Sequence, residues 1–249
     1  MIHLNDRGLI MSKLFAKPLG ALLKFVFDMI SKAGGGVEPE IISFYAIAII
    51  LTTIIFKLIL LPLGLAQSKS TRKMQEIQPK LKEIQEKYKN DPQTQQAKTM
   101  ELYKENNMNP FGSCLIMLVQ LPILFGFFRV MREPIEYVFK SEAAYAAISK
   151  TFLWIKNLEQ PDPYLWGLPL LAGVTTFLQS KLMTAETATD PKAGSTQRTM
   201  NIMLPFMIFW AARSFPAGLA LYWVIGNTFQ IVQSLITNRS LGKIKEDLD

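Results

Sequence analysis

An all-α membrane protein is the fold class the sequence predicts, and three observations carry it. Hydrophobic residues make up 49% of the 249 positions and the mean hydropathy is +0.19, which together favour a membrane protein. Four apolar runs come near the length a helix needs to cross about 30 Å of hydrocarbon at 1.5 Å per residue, and a fifth, 200–213, is shorter. Lys69, Arg72, Lys73, Lys80, Lys82, Lys87, Lys89, Lys98 and Lys104 gather between the first two runs. Basic residues flank spans on the cytoplasmic side, so that stretch is expected in the cytosol.

Residues 1–40 are expected to be extracytoplasmic. Within them SKLFAKPLGALLKFVFDMISKA, 12–33, sets Leu22, Leu23, Val26, Phe27 and Ile30 at helical spacing. Lys17, Lys24 and Asp28 interrupt any spanning run, so an N-terminal interfacial amphipathic helix is expected rather than a sixth span. Gly34, Gly35 and Gly36 hinge into a first span over 41–66, whose single charge is Lys57.

Residues 67–110 read as a cytoplasmic helical hairpin. Met74, Ile77, Leu81, Ile84 and Tyr88 recur at steps of three and four, a narrow seam like that of a coiled coil. Asn90-Asp91-Pro92 breaks that helix, with Asp91 as N-cap and Pro92 in the first turn of a second helix whose seam is Ala97, Met100 and Tyr103. A second span covers 111–131 and an extracytoplasmic loop 132–163. A third span covers 164–184, a cytoplasmic loop 185–199 and a short fourth span 200–213. A Phe-Pro-Ala-Gly turn feeds a fifth span, 217–237, and a cytoplasmic tail, 238–249. Five spans put the N-terminus outside and the C-terminus inside. Trp154, Tyr164 and Trp166 suit an interfacial aromatic belt. The fourth span, about 21 Å of helix, is short enough to invite local thinning of the bilayer.

Lys57 lies about ten residues, or roughly 15 Å, before the cytoplasmic end of its span, about twice what its side chain can bridge. A charge at mid-span against lipid costs on the order of 3 kcal/mol, most of which a wet polar cavity would remove. Gln120 in the second span, Thr175, Thr176 and Gln179 in the third, and Asn227, Thr228, Gln230 and Gln233 in the last supply polar groups for such a cavity. With Lys57 they predict a positively charged hydrophilic groove. No Asp or Glu lies inside a span, which leaves the counter-ion to come from a visiting molecule.

Other classes fare less well. The net charge of +7 could suggest nucleic acid, but basic and acidic residues are interleaved, so no direct DNA binding is expected. Cys114 and His3 are the only cysteine and histidine, which argues against a metal site, a cofactor and nucleophilic catalysis; no enzyme is expected. No internal repeat supports a transporter, although a small transporter or channel is the alternative.

Four stretches carry a resemblance: IIFKLILLPLGLAQSKSTRKMQEIQPKLKEIQEKYK, NPFGSCLIMLVQLPILFGFFRVM, FLWIKNLEQPDPYLWGLPLLAG and LPFMIFWAARSFPAGLALYWVIGNTFQIVQ. On them the chain resembles the YidC/Oxa/Alb membrane-protein insertases, and in layout the five-span bacterial type found in Gram-positive organisms. The resemblance implies a groove open to cytosol and lipid but closed outside, with Lys57 where the family usually has arginine. It implies Gln120 and Asn227 as groove residues, Trp210 and Tyr222 as wall supports, and the 67–109 hairpin as the platform that receives substrate. The implied partners are nascent membrane proteins, the lipid bilayer, and the Sec translocon and ribosome, in a bacterial plasma membrane. The lipoprotein cysteine of many Gram-positive relatives is absent, so anchoring is expected to rest on the amphipathic helix.

Overall fold

The computed structural model describes residues 3–35, 37–107, 112–183 and 191–246, with side chains over 13–35, 37–107, 121–182 and 201–237. The described residues form helices α1 (His3–Ala33), α2 (Phe44–Ile59), α3 (Leu61–Lys87), α4 (Pro92–Glu105) and α5 (Gly112–Arg132). After a π-helical turn, Ile135–Phe139, come α6 (Glu142–Ala146), α7 (Leu168–Met183), α8 (Pro191–Ala212) and α9 (Ala217–Glu246). Isolated bridges from Phe152 to Ile42 and Ile155 are the only β pairing among these residues.

The first predicted span is not one straight helix. Ser43 caps α2, its Oγ accepting from the Ala46 amide at 3.2 Å. The helix stops at Leu60, and Pro62, whose ring fits a first turn and lacks an N–H, starts α3. The axis turns by 64° there. Residues 61–66 are therefore the root of the hairpin arm, and Lys57 sits in the last turn of α2 instead of ten residues from its end.

Helix α9 is the hub, with α2, α3 and α7 all packed on it. Gly226 meets Lys57 of α2, and Gly64 of α3 lies under the Gln233 amide. Tyr222 stacks on Phe127 of α5, ring centroids 3.9 Å apart. α8 is carried mainly by α7, with Gly173 against Phe209. α1 buries Ala16, Leu19, Leu23, Val26 and Phe27, and lies along α5. A Cβ on Gly20 would stand 2.3 Å from the Tyr137 carbonyl oxygen, and one on Gly126 2.7 Å from Phe15 Cβ, so only glycine permits this approach. The stripe predicted to lie in the interface, Leu23, Val26 and Phe27 with Leu22 and Ile30 partly buried beside them, is thus packed on the bundle, and Leu14, Phe25 and Met29 form a second, exposed apolar stripe.

Judged by length and composition, Ala217–Thr237 alone among the described helices suffices to cross a membrane, and α2 with α3 suffices as a bent pair. α8 spans 22 residues, about 33 Å, because polar residues before Met200 continue the helix without a breaker. The helix therefore begins before the expected bounds of 200–213, while its apolar stretch stays as short as the expected fourth span. The apolar part of α8 is Asn201–Ala212.

The hairpin has its own small core, in which Met74, Ile77 and Leu81 meet Leu102 and Tyr103, with Ile84 partly buried beside them. Tyr88 is the C-cap of α3, its amide donating to the Ile84 carbonyl at 3.0 Å. Asp91 caps α4 and accepts from the Thr94 amide at 3.1 Å and hydroxyl at 2.6 Å. The expected α4 seam is corrected: Ala97 and Met100 are exposed, and Thr99, Leu102 and Tyr103 form the buried face. That set follows the i, i+3, i+4 pattern of a helix stripe, which Ala97, Met100 and Tyr103 trace only on one diagonal.

Candidate functional site: a lysine and an amide ladder on one helix

Lys57 is 7% exposed. Its stem lies against the backbone of α9, where a Cβ on Gly226 would come within 3.3 Å of Cε and 3.8 Å of Nζ. Among the described residues its ammonium has no hydrogen-bond or ion-pair partner. The same α2–α3 stretch holds three more buried oxygens without partners: Thr52 Oγ1, Gln67 Oε1 and Ser68 Oγ. Thr53, another buried hydroxyl there, is satisfied by the Ile49 carbonyl at 2.7 Å.

On the α7 side of α9 the polar groups are joined. Thr176 Oγ1 donates to the Ala172 carbonyl at 2.6 Å and accepts from Trp223 Nε1 and Asn227 Nδ2, each at 2.9 Å. Gln179 Nε2 donates to Gln230 Oε1. With the Asn227 amide turned over, its nitrogen donates to Gln179 Oε1 at 2.6 Å and its oxygen accepts from Trp223 Nε1 at 3.1 Å. The result is a continuous ladder, Gln230, Gln179, Asn227, Trp223 and Thr176, between two helices. Such bonds are held firmly where water is scarce.

At 100° per residue, Gln230 and Trp223 fall between Gly226, which faces Lys57, and Asn227, which faces α7. α2 and α7 both pack on α9 but make no comparable contact with each other. Lys57 therefore stands at one edge of a strip of α9 whose half-buried Trp223 and Gln230 are themselves rungs of the ladder to α7.

Of the predicted site residues, Gln179, Asn227 and Gln230 come together in the ladder and Lys57 stands at the edge of the strip. Gln120 lies in α5, and its side chain is outside the described residues. Tyr222 is buried in the α5–α9 contact, one position away from the strip. Trp210 does not join: it is 57% exposed on α8 and is covered by the Arg213 guanidinium, 5.4 Å from its ring. Met74, Ile77, Leu81, Ile84 and Tyr88 stay with the hairpin. Sequence reasoning missed Trp223. Its signal was an indole N–H four residues before Asn227 in an apolar run, a donor that needs an acceptor on the same face.

At the opposite end of the bundle the 133–167 loop is laced to the helix termini. The Glu38 carboxylate accepts from the Phe44 and Ser149 amides at 3.2 and 3.1 Å. The Leu158 and Gln160 carbonyls accept from Gly218 and Ala217 at 2.9 and 2.8 Å. Lys150 pairs with Glu159 at 3.3 Å and lies 3.9 Å over the Tyr145 ring.

This arrangement can be set beside known proteins. The family described as 60Kd inner membrane protein matches residues 38–245. The membrane protein insertase YidC of Clostridium perfringens is 42% identical over 217 residues, 84% of this chain and 87% of its own. That of Caldanaerobacter subterraneus is 37% identical over 228 residues, 91% and 95% of the two chains. The chain belongs to the YidC insertase family. An active YidC insertase crystal structure with its first transmembrane domain resolved matches with a TM-score of 0.57 at 30% identity. The match covers 84% of this chain and 44% of that longer one, so this chain spans less than half of it. YidC membership makes the protein an all-helical insertase of the bacterial plasma membrane, with nascent membrane proteins as its substrates.

Proposed function

We propose that this insertase works through a hydrophilic groove whose floor is the α9 strip, with Lys57 at one edge and α7 at the other. Five spans, α2, α5, α7, α8 and α9, enclose the groove. The hairpin and C-terminus lie in the cytosol, and the 133–167 loop closes the outside. A nascent transmembrane segment arrives at the hairpin, its short polar tail enters the groove, and the apolar segment leaves sideways into lipid. Clients come from the ribosome, directly or beside the Sec translocon. No covalent step is involved.

The observation that carries this reading is Lys57, a buried cation with no partner among the described residues, set beside a strip that carries hydrogen-bonding groups. A carboxylate about 4 Å away at an effective dielectric near 20 would gain about 4 kcal/mol before desolvation. That offsets much of what an acidic residue loses on being buried beside the α2–α3 bend. Lysine serves as a point charge here, without the two-pronged grip of the family's usual arginine.

The test is protease protection of a single-span substrate with an acidic N-terminal tail, added to liposomes that contain only this protein. Wild type and Lys57→Arg are expected to protect it and Lys57→Ala to protect less, with the gap closing when the tail is neutralised. Equal protection by all three variants on every substrate would remove Lys57 from the mechanism. Ion flux without insertion would instead support a channel.

A further inference from the structure

Asp162 lies just before α7, at the end of that helix remote from Gln179 of the ladder. It is 6% exposed. Its carboxylate accepts from Trp154 Nε1 at 3.1 and 3.2 Å, from the Tyr164 amide at 2.9 Å and from the Leu168 amide at 2.7 Å. Leu168 is the first residue of α7, so a negative charge sits where the helix's free amides and dipole favour it. The seat is closely built: a Cβ on Gly167 would come within 2.3 Å of Asp162 Oδ2 and 3.0 Å of Trp154 Cζ2. The Trp154 ring continues through Trp166, 5.7 Å away, to Tyr164, 4.7 Å further.

The consequence follows from how α7 is held. It packs on α9 and α8, and α8 is itself carried mainly by α7. The pair is therefore fixed to the bundle by the packing of α7 on α9, with Leu168 and Ala172 in the core, by the ladder within that contact, and by the Asp162 cap. From Leu168 to Thr176 is roughly 12 Å of helix and to Gln179 roughly 16 Å. A helix transmits axial displacement and rotation over that distance, and a slip of one residue is about 1.5 Å and 100°. Such a slip would remove the Thr176 bonds to Trp223 and Asn227, both of 2.9 Å.

We infer that Asp162 is the positioning residue of α7: from the loop end it sets the register of Thr176 and Gln179 against Trp223, Asn227 and Gln230. Its importance for insertion rests on reading that flank as one side of the groove.

The experiment reads register directly. In the full chain in liposomes, with Cys114→Ser, the pair Gln179→Cys and Gln230→Cys is oxidised with copper phenanthroline and the rate of disulfide formation measured. Asp162→Ala is expected to slow it at least fivefold. Asp162→Asn, which keeps a carbonyl oxygen for the Leu168 amide, is expected to restore most of the rate, and Lys57→Ala to leave it unchanged. With the ladder intact, Asp162→Ala is expected to lower insertion about tenfold for acidic and neutral tails alike. An unchanged disulfide rate overturns the inference. A slowed rate with full insertion keeps Asp162 as the positioning residue and instead removes the ladder from the groove. Should Asp162→Ala fail to accumulate, Gly167→Ala displaces the carboxylate without deleting it; the same slowing is expected, and its absence overturns the inference equally.

Discussion

Asp162 and Lys57 are buried to nearly the same degree, 6% and 7% exposed, and stand in opposite parts of the molecule. Three donor groups surround the acid at the loop end. The base beside the bend has no partner among the described residues, and unpaired Thr52, Gln67 and Ser68 oxygens lie on the same α2–α3 stretch. Burying an ion without compensation is expensive, so the two regions have different purposes. Where the chain supplies every partner, the charge holds shape. Where the described residues supply none, the proposed groove has the partner come from outside.

The sharpest way to break this contrast is at the loop end. Gly20→Leu drives a side chain into the Tyr137 backbone, which cannot yield as a flexible side chain would. A loss of about 3 kcal/mol is expected, seen as a lowered unfolding midpoint in detergent and as new proteolysis after α1. An unchanged midpoint would show that the loop end is not rigidly built. Next in size, Thr176→Val removes the nearer acceptor of the Trp223 indole N–H and the hydroxyl that meets the Asn227 amide, and should cost about 2 kcal/mol in the same assay. Lys57→Ala should leave the midpoint nearly unmoved but reduce insertion of acidic-tailed substrates about tenfold, equivalent to about 1.4 kcal/mol. Thr52→Val sharpens the comparison from the other side. Its hydroxyl has no partner to lose, so stability should stay within about 0.5 kcal/mol, and a loss as large as that of Thr176→Val would contradict the division.

The smallest effect belongs to the hairpin. The Thr94 hydroxyl and amide hold the Asp91 carboxyl below the usual carboxylate range. The cap's contribution is therefore complete above that range and is lost only as pH falls through the lowered value. The protection factor of the Thr94 amide, taken against its intrinsic exchange rate at each pH, should fall in acid and become insensitive to acid in Asp91→Ala. Equal acid sensitivity in both proteins would rule the cap out.

Local chemistry was legible in the sequence. Lys57 stood out because a charge in an apolar run has few explanations, Asp91-Pro92 because a cap and its proline are adjacent, and the Met74-to-Ile84 seam because helical periodicity repeats. What escaped the sequence depends on distant partners. Leu60 ends α2 within an apolar run that looks continuous, since Pro62 is compatible with either a bent or a straight helix there. Trp210 and Trp223 are alike as letters, and only the neighbour decides between an exposed ring on α8 and a ladder rung on α9. Asp162 reads as a turn residue between two prolines until the amide of Leu168 is seen beneath it.

The pairing of α1 with α5 also governs timing. Ala16 meets a glycine roughly 110 residues later in the chain, at Gly126. At about 5–20 residues per second, the ribosome needs on the order of 5–20 s to deliver that partner once α1 has been made. During that interval α1 carries two uncovered apolar stripes, the one that will close on α5 and the one bearing Leu14, Phe25 and Met29. A membrane surface can shelter both. The newborn protein thus faces, for several seconds, the same exposure of unplaced helix that it will later relieve in others.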